Sequence, residues 1–287
     1  MAEERVRGYG AGGVDAVISV DEVERQAAAI AEEIPLEKLE ELAGNAPYVT
    51  IKDLHAGYGK MEIIHGLNLR VGHKQSLCLI GPNGAGKSTI LHAIFGLNNI
   101  FSGSISIGDG ADALDVTSLS PNQKLSRAGI AYILQDKSIF PGMTVEENLW
   151  MGGFLKDQPA QAKQAAEMVF DKYSRLAARR KHQAKVLSGG ERRLLEISRA
   201  LVMNPEVLLV DEPSIGLEPR FIDMVFEILD DLQNKEGKTI IMVEQNAKKG
   251  LEFADIGYVL VSGQLAIAGT GDELLANPKV GELFLGG

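Results

Sequence analysis

The most apolar stretches of the chain are Ile130–Leu134, Val207–Val210, Thr239–Val243 and Tyr258–Val261, each four or five residues long with almost no polar position. Near-continuous apolar runs of that length predict strands of a parallel sheet covered on both faces. Shorter β-rich runs at Val49–Leu54, Leu67–Val71, Ser76–Ile80 and Ser104–Ile107 are set apart by Gly, Asn and His turns. Lys87–Leu97 follows as a predicted helix. Between Asp136 and Leu187 the texture changes to Ala, Lys and Gln, with helical runs around Val145–Met151 and Ala160–Leu176. The pattern is that of an α/β core carrying a helical insertion over 136–187. No internal repeat or low-complexity tract is evident.

The charge pattern marks a different boundary. Residues 1–46 hold 4 basic and 11 acidic side chains, a net of −7 out of −10 for the whole chain, so residues 47–287 carry only −3. The change falls near Asn45-Ala46-Pro47, and Pro47 is a natural joint. We therefore expect an acidic, partly helical N-terminal extension over 1–46 and the main domain over 47–287. In the extension, Arg7–Gly13 reads as a flexible lead. Ser19-x-x-Glu22 reads as a capping box, with Val23, Ala27, Ile30, Ala31 and Ile34 at helical spacing until Pro35. Leu36, Leu39, Leu42 and Ala43 continue as a second short apolar face. Two readings stand: a docking helix pair, or a loosely held acidic tail.

Composition removes several classes. With 287 residues, 30.9 kDa and 45% apolar residues, the chain can bury a full core without staples. One cysteine, Cys78, excludes a disulfide framework. No apolar run approaches the roughly 18 to 20 residues of a membrane span. The N-terminus has no signal-peptide core, so the expected location is the cytoplasm. The acidic balance argues against a dedicated nucleic-acid binder.

The chemistry is concentrated in two places. Gly81-Pro82-Asn83-Gly84-Ala85-Gly86-Lys87-Ser88, followed by Thr89, fits GxxxxGK[ST] between an apolar strand and a helix. Glycines let the backbone curl so that several N–H groups face one polyphosphate at the positive end of the helix. Lys87 would neutralise β- and γ-phosphate oxygens, and the Ser88 hydroxyl would ligate Mg²⁺. The second place is Val207–Asp211, an apolar strand ending in an acid. Asp211 would hold Mg²⁺ through water, with Glu212 where an attacking water could lose its proton.

Leu187-Ser188-Gly189-Gly190-Glu191, shortly before that strand, resembles the signature motif of ATP-binding-cassette ATPases, and the resemblance covers residues 48–287. It implies a P-loop NTPase cassette: a RecA-like α/β core, an antiparallel β region and an inserted helical subdomain. Ser188, Gly189 and Gly190 open a helix, Glu191–Leu201, so they form a second phosphate cradle. The family uses it to contact ATP on the P-loop of the other subunit, so that two cassettes clamp two ATP molecules. The resemblance further implies that Tyr58 stacks on adenine and that Gln135 senses Mg²⁺ and γ-phosphate. Core filler and a solvated strand-end residue are the plainer alternatives for these two. Phe140–Asn148 looks like the segment that receives a transmembrane partner's coupling helix, although Phe140 could equally be packed inside.

Two positions depart from the common family pattern. Gln245 stands where a His is usual; it can donate its amide N–H to the γ-phosphate but cannot carry a proton. Glu212 is then the preferred general base. Glu218, followed by Pro219, replaces an Asp, which leaves its role in subunit communication open. Gly57-Tyr58-Gly59, Phe140–Leu149, Glu212–Pro219 and Val243–Asn246 together resemble the ATP-binding subunit of branched-chain amino-acid importers, the member of the pair with Gln at the switch. Amide and urea importers share much of the pattern, and Gln135 replaces the acid expected in that subunit. The resemblance implies a second ATPase subunit, two membrane permeases, an external solute-binding protein and a place on the cytoplasmic face of the membrane. It does not fix the cargo.

The remaining features take plainer readings. The five basic residues within Arg175–Lys185 read as a solvated face in preference to a lipid-binding one. Cys78 reads as a small buried hydrophobe. The histidines show no metal-ligand spacing, and the methionines are scattered. A soluble, permease-free cassette ATPase is a second class, and a subunit that binds ATP but hydrolyses it weakly, because of Gln245, is a third.

Overall fold

The computed structural model describes residues 34–285 apart from 109, 136 and 137. The Arg7–Gly13 lead and the capping box at Ser19 lie outside the described residues. Among the described residues, two sheets make the frame. The larger has six strands in the order β10-β9-β3-β8-β7-β6. Here β3 is Ser76–Ile80, β6 Ile130–Ile133, β7 Val207–Asp211, β8 Thr239–Val243, β9 Ile256–Val261 and β10 Gln264–Thr270. All neighbours are parallel except β10, which closes one edge against β9 in antiparallel register. The smaller sheet is antiparallel, β2-β1-β4-β5, with β1 Pro47–Tyr58, β2 Met61–Gly72, β4 Asn99–Ile107 and β5 Leu114–Asp115.

The apolar runs of the central strands serve two cores at once. Leu77, Leu79, Val207, Leu209, Ile241 and Val243 face one core, with Ile90, Leu91 and Ile94 of α2 (Lys87–Phe95) and Val49, Ile51 and Leu69 of the smaller sheet. α1 (Leu36–Leu42) adds Leu39 to this core at 1% exposure. Cys78, Ile80, Leu208, Val210, Ile240 and Met242 face the other. That second core is closed by Val225, Leu229 and Leu232 of α8 (Pro219–Asn234) and Leu251 of α9 (Ala247–Phe253). Period-two alternation between two apolar layers is what makes these strands apolar at every position.

The insertion has its own core. Helices α4 (Val145–Gly152), α5 (Pro159–Lys172) and α6 (Ser174–Ala178) contribute Leu149, Ala166, Phe170 and Leu176. α7 (Gly189–Leu201) joins the two units: Leu194 and Leu195 pack in the insertion, while Ile197 packs under the sheet. α3 (Pro121–Ala128) starts with a capping box between Ser120 and Gln123. The last helices of the described residues are α10 (Gly271–Leu275) and α11 (Pro278–Phe284). Among the described residues, no helix is long and apolar enough to cross a membrane.

α1 docks on the main domain. The Gln75 side-chain amide donates to Leu42 O at 3.1 Å, and Ala43 is 3% exposed. Leu36, the outer residue of the same apolar face, stays 45% exposed.

Candidate nucleotide site

β3 is buried along its whole length and delivers the chain into the loop 81–86. Gly81 has φ 147°, and a Cβ there would overlap the carbonyl oxygen of Leu260. Gly86, at φ 95°, is the N-cap of α2, and its Cβ would come 2.7 Å from Ile64 Cδ1. Only glycine fits both positions. No side chain caps the first turn of α2, so its N–H groups remain available to an anion.

Lys87 folds back over this loop and donates to Gly81 O at 2.8 Å and Pro82 O at 2.9 Å. It is 7% exposed, and burial lowers its pKa from the ordinary lysine value. Ser88 Oγ donates to Asp211 Oδ1 at 3.0 Å, and Tyr132 OH donates to Asp211 Oδ2 at 2.7 Å. Burial and the adjacent carboxylate raise the Tyr132 pKa, which keeps it a donor. Asp211 is the last residue of β7 and 5% exposed. Mg²⁺ takes hard oxygen donors and keeps several waters, so the Ser88 hydroxyl as a direct ligand, with the Asp211 carboxylate beside it to hold a bound water, fits the ion.

Glu212 follows Asp211 with φ 42°, an uncommon backbone state for a residue with a side chain, and its N–H donates to Val243 O at 2.8 Å. Gln135 Nε2 donates to Glu212 Oε2 at 2.9 Å. Burial, and then Asp211, raise the Glu212 pKa above the usual carboxylate value. A cavity of about 510 Å³ has Asn83, Gly84, Gly86, Lys87, Ser88 and Thr89 along one side. Gln135, Glu212 and Gln245 line the other, with Ile63 and Ile215. Asp211 stands behind Ser88, and Gly81, Pro82 and Ala85 shape the loop without lining the cavity. A second cavity, of about 670 Å³ between α9 and α11, contains none of these groups.

Other sequence-predicted residues lie outside that cavity. Ser188 caps α7: its Oγ accepts from Glu191 N at 3.3 Å, and its own N–H donates to Glu191 Oε2 at 2.9 Å. Ser188 and Gly189 are exposed. Gly190 is buried, and a Cβ there would overlap the Phe221 ring. Tyr58 is 42% exposed at the end of β1, hydrogen-bonded to His92 and edge-on to its ring at 6.0 Å. Glu218 is exposed, 3.0 Å from Arg220. Phe140 is 41% exposed under the Arg199 guanidinium, 5.2 Å from the ring centre. The buried Asn148 pins its segment: Nδ2 donates to Phe140 O at 3.0 Å and Thr144 O at 2.9 Å. In the basic stretch, Arg179 pairs with Glu191, and Arg180 with Glu146 and Glu167.

Three contributors were not anticipated from the sequence. Tyr132 supplies the second donor to Asp211; a phenol inside an apolar strand was the available signal. Glu244, 1% exposed, accepts from Ser214 Oγ at 2.7 Å and Asn246 N at 2.9 Å, and so ties together the turns after β7 and β8. Arg193 Nη1 donates to Leu134 O at 2.8 Å and fixes the strand end that carries Gln135.

The chain is similar to known proteins in sequence and in fold. The sequence profile described as "ABC transporter" matches residues 64–215. The chain is 41% identical over 230 residues to the high-affinity branched-chain amino acid transport ATP-binding protein BraG of Pseudomonas aeruginosa, covering 80% of this chain and 96% of the relative. It is 38% identical to the probable branched-chain amino acid transport ATP-binding protein LivF of Archaeoglobus fulgidus, covering 83% and 98%. Among solved structures, the ADP conformation of an ATP-binding cassette of an ABC transporter superposes with a TM-score of 0.72 at 27% identity, over 84% of this chain and 99% of that one.

Proposed function

From the premise that the chain belongs to the ABC transporter family, we propose that it is the ATP-hydrolysing motor subunit of an importer of branched-chain amino acids. It works there as one of two cassettes bound to two membrane permeases on the cytoplasmic face, with a solute-binding protein outside. The observation that carries the reading is the convergence of Lys87, Ser88, Gln135, Glu212 and Gln245 on one cavity beside the glycine loop. The names of the BraG and LivF relatives support the cargo class.

Ser88, Asp211 and Gln135 would hold Mg²⁺, which when bound offsets negative charge on the phosphate oxygens. Lys87 exchanges its two carbonyl partners for phosphate oxygens and stabilises the charge that spreads in the transition state. Glu212 accepts the proton of the attacking water at a carboxylate oxygen, and Gln135 holds that carboxylate through its amide. Gln245 donates a hydrogen bond and moves no proton. Tyr58 offers its half-exposed ring to adenine. The cradle at Ser188, Gly189 and Gly190 does not line its own cavity, which suits a clamp on the ATP of the second cassette. Phe140, with Phe154 at 76% exposure on the same insertion, forms the surface offered to a permease.

The test is reconstitution of the full chain with the second cassette and the permease subunits in proteoliposomes, with the solute-binding protein supplied on the substrate side. ATP-driven uptake of labelled leucine, lost with Lys87→Ala, is the expected result. Uptake of urea or short amides in its place would reassign the cargo. Gln245 favours one second reading, a subunit that binds ATP and hydrolyses it weakly. Phosphate release by the isolated chain and by the complex separates the two: absence of hydrolysis in both would overturn the motor assignment.

A further inference from the structure

The five histidines have no metal-ligand spacing along the chain, yet the fold gathers two of them around one carboxylate. His55 lies on β1, and Glu62 and His65 lie on the neighbouring β2. In a regular strand, residues three apart point to opposite faces. The β1–β2 register is not regular. Gly57 pairs with Glu62 and Ala56 with Ile64, so Ile63 is an extra residue in β2. Leu54 pairs with Leu67, so His65 and Gly66 together stand opposite His55. The bulge at Ile63 returns His65 to the face of Glu62.

The side chains converge as a result. His55 Nδ1 is 2.6 Å and His65 Nδ1 is 2.9 Å from the same atom, Glu62 Oε1. The three donor groups all lie within 4.8 Å of one another. Behind His55, Asp53 Oδ1 stands 3.6 Å from the other ring nitrogen, Nε2. Asp53 is held at φ 44°, with its N–H donating to Asn68 Oδ1 at 3.1 Å.

We propose that His55, Glu62 and His65 form a binding site for a divalent transition-metal ion of the zinc type, separate from the nucleotide cavity and with a fourth position open to solvent. Two imidazole nitrogens and one carboxylate oxygen are the donor set of three-ligand zinc sites. The nitrogen donors select against Mg²⁺ and Ca²⁺, which take oxygen. Tetrahedral zinc with bonds of 2.0–2.1 Å holds its donor atoms about 3.3 Å apart. The present spacings therefore open by about half an ångström when the ion replaces the proton in each N···O contact. The side chains of His55, Glu62 and His65 are 32, 37 and 42% exposed, which leaves room for that movement. Asp53 supplies the outer carboxylate that orients a ligating imidazole. The site also touches the phosphate loop through backbone: His65 N donates to Gly263 O and Gly263 N donates to Ala85 O, each at 3.0 Å.

The experiment titrates Zn²⁺ into metal-free, full-length protein without nucleotide, in competition with a chromophoric chelator. One ion per chain is expected, weakened at least tenfold in His55→Ala and in His65→Gln, which keeps a polar partner for Glu62. Asp53→Asn should weaken it about tenfold, and His73→Ala should leave it unchanged. Binding of an ATP analogue confirms that each variant is folded. No zinc binding in the parent protein, or an affinity in both histidine variants equal to that of the parent, would show a hydrogen-bonded cluster only and overturn the site.

Discussion

Replacing Glu212 by Gln isolates proton transfer from every other property of the nucleotide site. The two side chains have the same shape, and Gln keeps an oxygen that can accept from Gln135 Nε2, now 2.9 Å from Glu212 Oε2. The glycine loop, Lys87 and Ser88 are untouched, so the phosphate cradle survives. The variant loses the capacity to take a proton, together with the negative charge of the carboxylate. General-base catalysis contributes about 10²–10⁴ in rate, or about 3–5.5 kcal/mol of barrier. The structure places Glu212 toward the upper part of that range, because burial and Asp211 raise its pKa and so strengthen it as a base. Nucleotide affinity should hold or rise slightly, since a carboxylate that repels the polyphosphate becomes neutral.

The same reasoning fixes the pH profile. Only the ionised carboxylate accepts a proton, so wild-type turnover falls as pH drops through the raised pKa. That limb lies at higher pH than an ordinary glutamate would give, and Glu212→Gln should lack it. The assay is phosphate release by the assembled complex between pH 5 and 8, beside titration with a fluorescent ATP analogue. Turnover within tenfold of wild type, or a retained acid limb, would refute the assignment.

Three further outcomes follow from packing. Gly190→Ala puts a methyl into the Phe221 ring and should destabilise the junction of α7 and α8 by about 1–3 kcal/mol; an unchanged urea midpoint would count against the contact. Leu39→Ala should cost about 2–5 kcal/mol, as for other buried leucines, with ATP affinity unaltered; a loss smaller than 1 kcal/mol would mean that α1 is held only at the surface. Lys124, fully buried with Nζ 3.1 Å from Ala93 O, has its pKa pushed down to about 8 by burial. The folded state therefore releases this proton first, so stability should rise by about 3 kcal/mol between pH 8 and 10.5. Lys124→Met should lack that rise in urea melts, and equal slopes for the two proteins would sink the argument.

Where every residue of a strand faces one of two apolar layers, the sequence is nearly self-explanatory: β3 and β8 have the predicted bounds. The antiparallel strands are harder to read. β1 and β2 each run to 12 residues, but the bulges at Asp53, Ile63 and Gly66 break their alternation, so only their regular halves stand out. β10 lies at a sheet edge, where Gln264 and Gly269 dilute the β signal. α8 was legible in principle, since Val225, Leu229 and Leu232 are spaced four and three apart, although acidic residues crowd the stripe. Its place is fixed by the layer under β7 and β8, which local periodicity does not specify.

The candidate site divides in the same way. A phosphate loop is built by consecutive residues whose backbone must curl, so its glycines, Lys87 and Ser88 are readable without knowing the fold. The carboxylate pair at 211 and 212 is likewise announced by the strand it ends. The groups that tune those residues come from far away in sequence: Tyr132 reaches Asp211 across 79 positions, and Ser214 reaches Glu244 across 30. They meet because β6, β7 and β8 are neighbours in register, a fact that belongs to the sheet. The cluster of His55, Glu62 and His65 is the extreme case. Without the bulge at Ile63, Glu62 and His65 would face opposite sides of β2, and no rule of spacing would bring them together. Motifs written in the backbone can be read along the chain, whereas constellations written in strand register become visible only once the register is known.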